Sequence, residues 1–200
     1  MKKYTIDQNG RSMIEMLGVL AIVGVLSVAG IAGYSKAMAK YKINKVMDQV
    51  STIAANTKTL FASVGNYSGL SGNSRAFNLG LFPEDMTKLC ATYSEGCLRN
   101  GMNGAVFIKG TTDSFTISMG GLTKEACTAL FTSDWGGAAG FKAIKGGTAI
   151  ASDVLAVPTA ETPAANTGYT PADLASVGVY TAAKASCTAE TGNAVTWVFY

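Results

Sequence analysis

From Met16 to Ser35 the chain carries no charged side chain, and Leu, Val, Ile and Ala dominate the stretch. Twenty helical residues span about 30 Å, the thickness of a bilayer's hydrocarbon core. Beyond Ser35 the pattern becomes periodic. Ile43, Val46, Met47, Val50, Ile53, Ala54, Leu60, Phe61 and Val64 recur at three- and four-residue steps. Lys42, Lys45, Asp48, Gln49, Asn56 and Lys58 lie mostly off that stripe. This is the signature of a helix with one apolar face. No proline interrupts Arg11 to Val64, and Gly65-Asn66 supplies a stop. The pattern predicts one helix of about 50 residues, roughly 75–80 Å long, its first half apolar all round and its second half amphipathic.

After the helix the pattern shortens. Asn66 to Asn78 is rich in Gly, Ser and Asn and reads as a loop. Phe82-Pro83 to Leu89 reads as a short helical turn, with Glu84-Asp85 solvated. Ala105 to Ile108 and Ser114 to Met119 read as paired strands joined by a Gly-Thr-Thr-Asp turn. Thr123 to Phe131 reads as a helix with Ala126, Cys127, Leu130 and Phe131 on one face. Phe141 to Ile150 is strand-like, and Ala156 to Pro171 is an Ala/Thr/Pro-rich surface excursion. From Ala194 to Tyr200 apolar residues occupy both faces, which predicts a strand inside the sheet.

Charge and cysteine content narrow the chemistry. The 200-residue chain contains no histidine, which removes Ser-His-Asp and Cys-His nucleophile systems and most catalytic zinc sites. The sequence nominates no catalytic residue, no metal ligand and no cofactor. Its +3 formal charge is interspersed, so it has no dedicated nucleic-acid site. Four cysteines fit two disulfides in an oxidising compartment. They allow three connectivities, and spacing does not choose among them.

The apolar segment invites two readings. A secretory signal peptide has an apolar region of about 7–15 residues and a small-x-small cleavage site. Ser27-Val28-Ala29 and Ala37-Met38-Ala39 both have that form, but the stretch is longer, and Glu15 interrupts its start. A carboxylate at a membrane helix is costly, up to about 2.5–3.5 kcal/mol for a charge at the centre, so it is usually paired or protonated. The positive leader Met1-Lys2-Lys3 biases the N-terminus to stay on the cytoplasmic side. Lys36, Lys40, Lys42 and Lys45, on the far side, oppose that rule.

Gly10-Arg11-Ser12-Met13-Ile14-Glu15-Met16-Leu17, running into Gly18-Val19-Leu20-Ala21-Ile22-Val23-Gly24, resembles the prepilin signal of type IV pilins. The resemblance implies that a prepilin peptidase cuts between Gly10 and Arg11, retains the helix and methylates the Arg11 amine. Arg11 departs from the Phe or Met frequent at that position. Glu15 falls fifth in the mature chain, where the family carries its hallmark glutamate. In a fibre core it would pair with the N-terminal ammonium of a neighbouring Arg11 and set the axial register.

More weakly, Gly121 to Cys127 and Ala143-Ile144-Lys145-Gly146-Gly147 resemble the head of type IVb pilins, the branch that includes toxin-coregulated pili. That resemblance implies a Cys127–Cys187 bridge, which leaves Cys90 with Cys97. The implied fold is α+β, with the long helix packed on an antiparallel sheet. The parts are a leader (1–10), a membrane or fibre-core helix (11–35), its amphipathic continuation (36–64) and a globular head (65–200).

The implied function is a structural pilus subunit serving adhesion, aggregation or motility. It would be held in the inner membrane with its head periplasmic, then extracted into an extracellular fibre. The implied partners are other pilin subunits, the prepilin peptidase, and the assembly platform with its ATPase; a host-cell or surface receptor is a further candidate. A minor pilin or type II secretion pseudopilin shares the same leader and is the nearest alternative. A membrane-tethered hydrolase is the alternative from another class.

Overall fold

The structure, a computed structural model, describes residues 13–88, 90, 92–94, 96–135, 140–148 and 169–200. The leader, Gly10 and Arg11, the end of the expected strand at Ile150 and most of the Ala156–Pro171 excursion lie outside them. The chain divides into two units, Met1–Lys40 and Tyr41–Tyr200.

Helix α1 runs Met13–Phe61. It ends where Val64 and Gly65 both donate their amides to the Phe61 carbonyl and Gly65 takes φ +71°, a left-handed conformation that glycine adopts without steric cost. Val64 therefore lies past the helix and is exposed, not part of the buried stripe. In the second unit α1 buries Ile43, Val46, Gln49, Val50, Ile53, Ala54, Thr57 and Phe61. Two of these are polar, and the expected stripe is corrected accordingly. Thr57, four residues beyond Ile53, occupies the inward position, while Leu60 faces solvent.

Four antiparallel strands follow in the order β1-β2-β4-β3: β1 Val106–Gly110, β2 Phe115–Leu122, β3 Phe141–Thr148 and β4 Asn193–Phe199. The C-terminal strand is central, as its two apolar faces predict. Ile117 and Ile144 flank Trp197, and Phe115 and Phe141 flank Phe199. The side chains of Phe115, Ile117, Met119, Val195, Trp197 and Phe199 are fully buried in one core cluster with the α1 residues Val46, Val50 and Ile53. Phe115 stacks on Phe199 at 5.4 Å, and Trp135 meets Trp197 edge-on at 5.1 Å.

Among the described residues, five short helices accompany the strands. Residues Asn73–Asn78 form α2 inside the stretch expected to be a loop, and Glu84–Thr87 form α3 within the short helical turn expected at 82–89. Thr123 caps α4 (Lys124–Thr132) by accepting the Ala126 amide. Helices α5 (Pro171–Val177) and α6 (Val179–Ser186) complete the head.

Both rims of the sheet are engaged. On the outer side of β1, the Asn73 amide donates to the Val106 carbonyl at 2.7 Å and accepts from the Ile108 amide at 2.9 Å. Gly110 donates to the Leu70 carbonyl next to it. On the outer side of β3, Ile144 and Tyr169 exchange both backbone hydrogen bonds, at 3.0 and 2.8 Å.

Candidate assembly surface

Among the described residues, the first half of α1 carries a continuous run of exposed apolar side chains. Ile14, Leu17, Leu20, Ile22, Val25, Leu26, Val28 and Ile31 are each more than 60% exposed, and together they surround the helix. A helix apolar on every side is not a surface helix of a soluble domain; it belongs in lipid or among other helices. By length and composition this segment is sufficient to cross a membrane. Two of its polar groups are satisfied locally: Ser27 and Ser35 donate to the Val23 and Ile31 carbonyls one turn back. The positions of Gly18, Gly24, Gly30 and Gly33 face open space, so another helix can approach closely there. Glu15 lies in the first turn, where the helix dipole favours a carboxylate.

The head is fastened to the second half of α1 by polar contacts as well as by its core. The buried Gln49 donates to Asp85 of α3 at 2.7 Å and accepts the Gly101 amide at 2.9 Å. Lys45, one turn earlier, pairs with the same Asp85 oxygen at 3.1 Å. Burial alone would raise the Asp85 carboxyl. The hydrogen bonds from Lys45 and Gln49, with the Lys45 charge, outweigh it and hold the group below its ordinary value. Asp85 is thus not the solvated turn residue its sequence context suggests. Farther along, Asn56 donates to the Leu81 carbonyl. Lys58 lies over the Phe199 ring, and burial pushes its ammonium down from the usual lysine value.

Two disulfides close the head. Cys127 of α4 is joined to Cys187, just past α6, with Cα atoms 5.8 Å apart, and both residues are buried. Cys90 is joined to Cys97, with Cα atoms 5.5 Å apart. These are the pairs the pilin resemblance implies. All four thiols are consumed, and among the described residues no cluster of three or more acidic or cysteine side chains forms a metal site.

Four buried polar side chains do work that the sequence reading did not anticipate. Besides Gln49 and Asn73, Asn100 accepts the Met102 and Gly104 amides and donates to the Gly120 carbonyl. Asn193 exchanges two hydrogen bonds with the Ala189 backbone. Their partners lie in turns and rims, so nothing in local periodicity marks them. The available signal is a turn-forming Asn beside Gly, at 72–73, 100–101 and 192–193.

An all-apolar helical segment continuous with the core helix of a disulfide-closed α+β head defines the class of type IV pilins. The family model for the PilS N-terminal region matches residues 40–200, and the chain belongs to that family of pilins. Among solved structures it is similar to the crystal structure of TcpA, a type IV pilin from Vibrio cholerae El Tor biotype. The TM-score is 0.51 and the identity 21%, over 80% of this chain and 99% of that one. No curated protein sequence matches the chain. Family and fold are those of structural subunits, not of enzymes.

Proposed function

We propose that this chain is the major structural subunit of a type IVb-like pilus, polymerising through the first half of α1. The observation that carries this reading is the segment Met16–Ser35, apolar around its circumference and exposed in the isolated chain. Such a surface is unstable in water at about 25 cal/mol per Å². It is covered first by the inner membrane and then by the same segment of neighbouring subunits in an extracellular fibre. Cleavage between Gly10 and Arg11 by a prepilin peptidase frees the helix for assembly, and methylation caps the Arg11 amine. In the fibre core the Glu15 carboxylate meets the Arg11 ammonium of a neighbour. An unpaired charge there is strongly unfavourable, so the pair fixes one axial register. The assembly platform and its ATPase supply the work of extraction, and the exposed surfaces of the head govern adhesion, aggregation or motility.

Intact mass and N-terminal sequencing of the protein from its native host test this reading. A chain that begins at Arg11 with one added methyl group, abundant in sheared surface fibres, is the expected result. A chain that begins near Gly30 or Lys40 would have lost the helix and would overturn it. A correctly processed chain present only in trace amounts in the fibres would make it a minor pilin or pseudopilin instead.

A further inference from the structure

One turn of the head contains two Asn-Gly bonds in five residues, Asn100-Gly101 and Asn103-Gly104. This is chemically the weakest dipeptide for asparagine, because glycine offers its amide nitrogen to the preceding side chain without a Cβ in the way. The attack forms a bond from the glycine nitrogen to Asn Cγ and breaks the Cγ–Nδ2 bond, and ammonia leaves with the amide proton. Water then opens the cyclic imide to aspartate or isoaspartate.

Both glycines are closely approached. A Cβ on Gly104 would lie 1.8 Å from the Gly120 carbonyl oxygen, a backbone atom that cannot move aside. A Cβ on Gly101 would press into the Lys45 side chain, with its nearest carbon at 3.0 Å. Asn103 takes φ +64°, a conformation asparagine tolerates better than most residues. Asn103 is also exposed to solvent.

Both attacking nitrogens are nevertheless engaged. The Gly101 amide donates to Gln49 Oε1 at 2.9 Å, and the Gly104 amide donates to Asn100 Oδ1 at 3.0 Å. The Asn100 amide, itself buried, is further pinned through its Nδ2 to the Gly120 carbonyl at 2.9 Å. We infer that Gln49 and Asn100 form a two-step latch that protects Asn100 and Asn103, two latent deamidation sites, by occupying the nitrogens that would attack them. Gln49 Oε1 restrains the Gly101 nitrogen, which would attack Asn100, and Asn100 Oδ1 restrains the Gly104 nitrogen, which would attack Asn103. Deamidation then requires local opening, and its rate scales with the open fraction.

The test uses the full chain in detergent micelles, disulfides intact, incubated at mildly alkaline pH. Peptide mapping quantifies aspartate and isoaspartate at positions 100 and 103. In the folded wild type both sites should convert at least roughly tenfold more slowly than in the same chain unfolded in urea. Gln49→Met, which keeps the side-chain length and removes the acceptor, should raise conversion at Asn100 by roughly tenfold in the folded protein. Lys45→Met, which loses the neighbouring ion pair but keeps the acceptor, should leave that rate at the wild-type value. Equal rates in folded and unfolded wild type would overturn the proposal, as would a folded Gln49→Met variant that converts no faster than wild type. If Gln49→Met does not fold, the folded-against-unfolded comparison decides alone.

Discussion

Gln49 and Asp85, 36 residues apart in sequence, meet through a hydrogen bond of 2.7 Å that ties the long helix to the short helix α3. Lys45 joins the same carboxylate oxygen. The folded state therefore favours ionised Asp85 over its ordinary value of 3.8. A carboxyl depressed on folding contributes stability that is present above the unfolded pKa and lost as pH falls through the folded one. Thermal melts should show the wild type's advantage over Asp85→Asn shrinking as pH falls through the ordinary aspartate range and below it, toward the depressed folded-state value. The group is partly exposed, so the full effect is about 1 kcal/mol or less. A gap that stays constant across that range would mean the charge contributes nothing.

The two disulfides should differ in weight. Cys127–Cys187 spans 60 residues and Cys90–Cys97 spans 7. Chain entropy alone assigns about 4 kcal/mol to the first and about 2.5 kcal/mol to the second. In urea titrations of the full chain in detergent, a Cys127→Ala, Cys187→Ala double variant should therefore lose more stability than the Cys90→Ala, Cys97→Ala double. The reverse order would place the bridges' effect in folded-state contacts.

Thr57 is wholly buried on α1, and its hydroxyl has no hydrogen-bond partner. Valine has nearly the same shape without the polar atom. Thr57→Val should raise stability by about 1 kcal/mol, the lower end of what an unsatisfied buried group costs. A loss of stability, read by the same titration, would reveal a partner for the hydroxyl in solution.

Glu15 should matter for assembly and not for the fold of the head. Glu15→Ala is expected to leave the full chain folded and membrane-inserted while sharply reducing surface fibres, counted after shearing. Fibres of normal yield and helical regularity would end the register-setting role.

The longest elements were legible because burial there is repetitive. The apolar run from Met16 to Ser35 and the steps from Ile43 to Ala54 announce α1, and the alternation around Phe115 and Trp197 announces the central strands. Residues 73–78 read as loop because Gly, Ser and Asn dominate that region. In the fold, α2 is supported by what it touches: Ala76 is fully buried, and Asn73 bonds to β1. Helices α5 and α6 are rich in Ala and Ser, which write no strong pattern. Leu60, expected on the stripe, faces solvent while Thr57 is buried, because the facing surface, not side-chain hydrophobicity, decides which position is inward. At the candidate site the apolar helix and Glu15 were visible from the start. Gln49 was not, since its partner Gly101 lies 52 residues farther on.

The engaged rims of the sheet set the terms on which this head tolerates crowding. A strand with open amides and carbonyls templates another strand, and identical heads held at high local density are the best substrate for that reaction. Here a side-chain amide imitates a missing strand along β1, and Tyr169 seals β3 at Ile144. Cross-β growth finds no free template at those positions. Two routes to a filament compete for any self-associating chain, one through backbone and one through helices, and in this molecule the backbone route is blocked where it would begin.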